Sequence, residues 1–313
     1  MSDPSKPLLM ISVDVEDWPQ STLDPSLPMG DYCAENVRRI LDLMATVPAA
    51  RATFFVLGLF AEKHPDAVKA IAKAGHEIGS HGYGHLEVFR QNRQEFAEDV
   101  RRCTGLIGDL TGQQPIGYRA PDFSIVGETL WALEELAAQG FAYDSSVFPM
   151  DRGRYGIAAW PRDARRVQLR EREGTIVEIP MTTIQFAGRR LPVSGGGYAR
   201  LLPRPVLVGA LRKAARQLHS PPVFYCHPYE FDPDEFSRLD YLVPARIRFH
   251  QGMGRKGFAA KFRSLLSHFT CVSVAEAITN LDTGEPLDAT PFVLRDVVRP
   301  PIFRNITLVP RNR

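Results

Sequence analysis

From Leu8 to Val15 the chain reads LLMISVDV, an apolar, β-rich run with little polar alternation that ends in the acids Asp14, Glu16 and Asp17. That is the pattern of a buried strand with a polar cluster at its carboxyl end. From Tyr32 to Met44, Val37, Ile40, Leu41 and Met44 recur at helical spacing, and Val47-Pro48 ends the pattern. The alternation repeats: residues 52–58 (ATFFVLG) read as strand, Phe60 to Lys73 as helix, HEIGSHG as a short strand entering a loop, and Phe96 to Leu110 as helix. IGYRAP (116–121) predicts another strand and Glu128 to Gln139 another helix. TIVEIPMTTI, PVFYCHP and CVSV predict further strands, with helices near Val206 to Leu218 and Phe258 to Phe269. Strands alternating with helices imply a parallel α/β sheet; this many repeats in one domain favour a barrel over an open sheet, although periodicity does not decide between them. No low-complexity linker divides the chain, so residues 8–281 are expected to form one domain, and 282–313, rich in proline and arginine, an irregular tail packed on it.

Composition narrows the class. The 313 residues are 44% hydrophobic and 24% charged, as in an ordinary globular protein. Basic and acidic residues, 38 and 36 for a net charge of +2, are spread along the length, which offers no electrostatic argument for nucleic acid or a membrane surface. Cys33, Cys103, Cys226 and Cys271 lie far apart without a C-x-x-C pair and read as reduced core thiols. The first apolar run breaks at Asp14, too short for a signal segment or a transmembrane helix, so a cytoplasmic location is expected.

Four groups of residues carry chemistry. Asp14, Glu16 and Asp17 crowd the end of the first strand, where a parallel α/β fold gathers catalytic groups; acids so placed need a metal or an arginine to hold them, unless they are a solvated turn. His81 and His85 form a His-x-x-x-His pair, which one helical turn or a compact loop can aim at one divalent cation, zinc first and cobalt or manganese next; two surface histidines are the plain alternative. A carboxylate from the first group would complete three ligands and leave a position open for water. Arg119, in YRAPDF, stands where it can orient a carboxylate, and Pro121 keeps the preceding backbone extended. His227, after a further apolar run, can donate a proton to a leaving amine, or be merely structural. The glycine-rich loop PVSGGGYARLLP (192–203) suits a close approach of backbone to ligand, or a tight turn.

In this order the motifs resemble the polysaccharide deacetylase family, also called NodB-homology or carbohydrate esterase family 4 proteins, over about residues 8–280. The matching positions are Asp14 with Glu16, His81 with His85, Arg119-Ala120-Pro121, Asp144-Ser145-Ser146 and Tyr225-Cys226-His227. The resemblance implies a distorted (β/α)7 barrel, NodB-like, with Asp14 as base, Glu16, His81 and His85 as metal ligands, Arg119 orienting Asp14, and His227 as acid. Pro121, Asp144 and Tyr225 would line the substrate groove, which the loop Arg152 to Arg172 would help to shape. DVEDW, PVSGGGY and HPYEFDP resemble the branch linked to bacterial exopolysaccharide synthesis. Two departures stand out: the acids run Asp-x-Glu-Asp, leaving Glu16 or Asp17 as ligand, with Glu16 favoured because a residue two positions on returns to the same strand face; and Leu86 replaces the proline that often follows the second histidine. The implied activity is metal-dependent hydrolysis of the acetamide of N-acetylated sugars in a polysaccharide or its precursor. No nucleic acid is expected, and a membrane-associated synthesis complex is a candidate partner. The competing readings are a metal-free, allantoinase-like amidohydrolase and a non-catalytic sugar-binding barrel.

Overall fold

A computed structural model describes residues 5–279, 281, 284–292 and 309–310. Its strands are β1 (Leu8–Val15), β2 (Thr53–Val56), β3 (Glu77–Ser80), β4 (Gly117–Tyr118), β5 (Tyr143–Asp144), β6 (Arg165–Gln168), β7 (Thr175–Glu178), β8 (Thr183–Phe186), β9 (Arg189–Pro192), β10 (Val223–Cys226), β11 (Tyr241–Leu242), β12 (Thr270–Val272) and β13 (Val309–Pro310). The helices are α1 (Tyr32–Ala45), α2 (Gly58–Lys63), α3 (Pro65–Lys73), α4 (Arg93–Thr111), α5 (Ala132–Ala138), α6 (Gly196–Leu201), α7 (Arg204–Gln217), α8 (Glu235–Arg238), α9 (Ala245–Gly252), α10 (Phe258–His268) and α11 (Val274–Ile278).

The central sheet has the order β10-β1-β2-β3-β4-β5-β7-β6, with β12 beside the first half of β1 and β10 beside its second half. Its pairs are parallel except β6 with β7, so the sheet is mixed. Among the described residues no strand pairing closes it into a seven-stranded barrel. Irregular backbone spans the gap instead: the Val193 N–H donates to the Thr182 carbonyl (3.4 Å) and the Tyr225 N–H to the Ser194 carbonyl (2.8 Å). TIVEIPMTTI is accordingly two strands, β7 and β8, in different sheets, divided at Pro180, which lacks the N–H a ladder requires. Likewise the single helix expected over 60–73 is two, α2 and α3, because Pro65 starts a new helix at its first position. The start of the loop expected over 152–172 stays irregular, but its centre forms β6.

Period-two alternation in β1 positions the site. Leu9, Ile11, Val13 and Val15 enter the core beneath the helices, where Val37, Ile40 and Met44 of α1 meet them. Each such side chain, fully buried, contributes about 1.5–3 kcal/mol. Ser12 and Asp14 therefore point to the opposite, inner face, as do Phe55 of β2 and Tyr225 of β10. Helix α4 is fixed at both ends: Asn92 and Glu95 form a reciprocal capping box (3.0 and 2.9 Å), and Gly112 closes it at φ 73°. Of the expected tail, 282–313, most lies outside the described residues. Within them, Leu287 exchanges backbone hydrogen bonds with Arg166 (2.7 Å) and Gln168 (2.9 Å), and β13 pairs antiparallel with β11. The four cysteines are buried and unpaired, and no helix among the described residues is long and apolar enough to cross a membrane.

Candidate active site

Glu16 follows β1 on the face that Asp14 uses, and it meets two histidines from the loop after β3. His85 Nε2 lies 2.6 Å and His81 Nε2 3.5 Å from Glu16 Oε2, and all three residues are buried. His81 Nδ1 lies 2.8 Å from the Arg119 carbonyl, which can only accept; Nδ1 therefore carries the hydrogen, and Nε2 keeps its lone pair for a ligand. His85 sits at φ 60°, so the His-x-x-x-His stretch is a compact loop and not a helical turn. Holding a non-glycine residue there costs about 1 kcal/mol, which buys the convergence of both rings on Glu16.

The electrostatics of the cluster centre on the Glu16 carboxylate. Burial raises the Glu16 carboxyl, but the charges of His85 and His227 and the hydrogen bond from His85 outweigh it and hold it well below the usual range. Burial lowers the His85 imidazole, yet the charge and hydrogen bond of Glu16 raise it to about 9. A buried carboxylate thus draws positive charge onto its neighbours. One acid and two imidazoles within 4.8 Å of one another are a donor set that fits a divalent cation with positions left open. Asp17 is not part of it: its carboxylate turns to the Gly30 N–H (2.7 Å).

Beside this cluster Asp14 is gripped by Arg119, whose Nη1 donates to Asp14 Oδ1 (2.7 Å) and to the Ser12 hydroxyl (2.7 Å). The other edge of the guanidinium donates to the Ser145 carbonyl and hydroxyl (both 2.9 Å), and Phe55 packs 4.3 Å from its centre. Arg119 is wholly buried, so its geometry leaves Asp14 a single orientation with one oxygen free of it.

His227 leaves β10 on the same face. Its Nε2 stands 3.5 Å from Glu16 Oε1, its Nδ1 3.6 Å from Glu230, and its ring stacks on Tyr229 at 4.7 Å. Burial lowers its pKa, but Glu16 and Glu230 raise it above the ordinary value. Glu230 was not singled out from the sequence, although His-x-x-Glu places it one short turn on. It accepts the His227 N–H (3.1 Å) and pairs with Arg200 (3.1 Å). The glycine loop leaves room for this support: a Cβ on Gly196 would fall 1.6 Å from Glu230 Oε2, and one on Gly195 2.6 Å from the Tyr225 hydroxyl.

The three residues expected to line a groove separate. Tyr225 packs between Phe123 (4.9 Å) and His227 (5.7 Å). Pro121 is buried at the start of a short 3-10 turn that places Asp122 and Phe123 at positive φ. Asp144 is fully buried, accepts the Ser146 hydroxyl (2.6 Å), and faces Glu178 across the β5–β7 pair. It braces the segment whose Ser145 holds Arg119.

Residues 19–141 match the family model described as polysaccharide deacetylase, and residues 145–279 that of a domain of unknown function (DUF3473). The first span contains His81, His85 and Arg119 and begins after Asp14 and Glu16; the second contains His227. The chain is similar to a peptidoglycan deacetylase-like protein of Gibberella zeae, 30% identical over 210 residues that cover 57% of this chain and 60% of that protein. It is also similar to a peptidoglycan deacetylase of Helicobacter pylori, 32% identical over 142 residues, 41% of this chain and 47% of that one. It spans less than two thirds of the length of these curated relatives. A crystal structure of a candidate polysaccharide deacetylase from Mycobacterium smegmatis shares the fold, with a TM-score of 0.60 at 21% identity over 96% of this chain and 97% of that one. The matches amount to family-level homology with polysaccharide deacetylases.

Proposed function

We propose that the protein is a metal-dependent deacetylase of N-acetylated sugars in a polysaccharide or its precursor, acting in exopolysaccharide synthesis. The observation that carries this reading is the buried Glu16, His81 and His85 cluster, flanked on one side by the Arg119-oriented Asp14 and on the other by His227. Those three ligands would hold a divalent cation, zinc first and cobalt or manganese next; bound there, it supplies Lewis-acid polarisation of the acetamide carbonyl and acidifies water.

The remaining work falls to the chain. Asp14 removes a proton from the attacking water through the oxygen that Arg119 leaves free. Arg119 keeps Asp14 aimed. His227, protonated because of the carboxylates that face it, delivers its proton to the departing sugar nitrogen, and Glu230 holds the ring for that transfer. Water attacks the acetyl carbon, the carbon–nitrogen bond breaks, and acetate and a free amino sugar leave. Tyr225 and the irregular start of the 152–172 loop form the adjoining wall. Residues 8–281 constitute the catalytic domain in this reading.

The test is acetate release from N-acetylated oligosaccharides and from nucleotide- or lipid-linked N-acetyl sugars, with chelated protein compared with protein resupplied with zinc, cobalt or manganese. Release that stops on chelation and returns with metal is the expected result. Release indifferent to metal would move the assignment to an allantoinase-like amidohydrolase, and metal retention without release to a sugar-binding barrel.

A further inference from the structure

The near-neutral total charge conceals a segregation that the even spread expected from composition misses. Residues 179–229 and 241–275 contain no Asp or Glu, yet hold thirteen Lys and Arg residues. The two stretches meet in space. Lys261 of α10 donates to the carbonyls of Ala199 (2.8 Å) and Arg200 (2.6 Å) in α6, and Arg200 reaches the carbonyls of Gln251 and Met253 at the end of α9. α10 also packs against α7. Arg200 and Arg255 are buried and paired with Glu230 and Glu235, whereas Arg204, Arg212, Arg246, Arg248 and Arg263 are exposed.

Large apolar side chains stand among these arginines: Phe249 is 72% exposed, Leu201 57%, Val206 51% and Met253 38%. They lie at the catalytic end of the sheet. Gly195, just before α6, bridges to Tyr225 at the carboxyl end of β10; α7 then runs back toward the start of that strand, and α9 belongs to the connection that follows His227.

We propose that the face built from these two segments docks on an anionic phospholipid bilayer. Arginines meet the headgroup charge while Phe249, Leu201 and Val206 enter the boundary of the acyl region, as in interfacial helices. Nucleic acid would match the charge but offers no apolar phase for those side chains. Docked in this way, the protein keeps the mouth of its site at the membrane surface. The surface is independent of the chemistry proposed above.

Flotation of the full chain with vesicles of phosphatidylcholine alone, or mixed with phosphatidylglycerol, tests this. Binding is expected to the anionic vesicles alone and to weaken as salt rises. Each arginine near such a surface is worth about fivefold in binding. Replacing Arg246, Arg248 and Arg263 together by Gln should therefore lower binding on the order of a hundredfold, and Phe249→Ala should lower it separately. A parent-like thermal melt and parent-like metal retention verify that the variants are folded. No binding to anionic vesicles, equal binding to neutral ones, tighter binding to duplex DNA, or folded variants that bind as the parent does would each overturn the proposal.

Discussion

Replacing Glu230 with Gln keeps the side chain's size and an acceptor for the His227 N–H, but removes the charge 3.6 Å from His227 Nδ1. Against the lowering effect of burial, Glu16 and Glu230 raise this imidazole above its ordinary value. A cation on Glu16 would cancel much of that carboxylate's share, leaving Glu230 as the nearest anion. Two unit charges about 4 Å apart interact by about 4 kcal/mol at an effective dielectric constant near 20, which is about three pKa units. Arg200, 3.1 Å from Glu230, offsets part of this, and Glu230→Gln should still lower the His227 pKa. Because His227 must be protonated to act as the acid, the alkaline limb of kcat/KM should move to lower pH while the acid limb stays in place. The assay is the pH profile of acetate release at saturating metal, joined to an NMR titration of the His227 ring. A folded, metal-retaining variant whose alkaline limb and ring titration are unmoved would refute the electrostatic role; a uniform loss of rate at every pH would make Glu230 a positioning residue alone.

Asp14→Asn should reduce turnover by about 10²–10⁴-fold, with metal content by elemental analysis unchanged; retained activity would remove Asp14 as the base. Gly196→Ala drives a Cβ into the Glu230 carboxylate and should cost about 1–3 kcal/mol in urea unfolding, while Gly105→Ala, in α4 with open space around it, should be neutral or stabilising. Glu16→Gln should abolish metal retention, and Asp17→Asn should preserve it. Burial lifts the Asp17 carboxyl to about 6 against the hydrogen bond from Gly30, so the native state holds this proton more tightly than the unfolded chain does. Stability is therefore highest below the unfolded pKa and should fall by about 3 kcal/mol as pH rises from about 4 to above 6; denaturation profiles of Asp17→Asn should lack that decline.

What could be read from the chain, and what could not, follows the range of the interactions. The helical stripe of α1 and the period of two in β1 are local, and the second places Asp14 and Glu16 on one face before any contact is known. The same rule would have found Ser12, two positions before Asp14, but an uncharged serine in an apolar run carries no sign that it anchors an arginine 107 positions away. His81 and His85 announce their spacing; the left-handed backbone at His85 that makes the spacing useful does not show in composition. The burial of Asp144 does not show in its motif either, which reports which residue is present and not which way its strand face points. The charge segregation escapes for the opposite reason: totals average over the chain, whereas folding sorts acid-free segments onto one side. Glu230 joins these limits. It lies three positions from His227, yet its importance rests on Arg200 and on the absence of a Cβ at Gly196, two residues of a separate segment. The glycine loop and HPYEF are therefore a single device: one supplies room for the carboxylate, and the other supplies the carboxylate that, with Glu16, raises the proton affinity of His227.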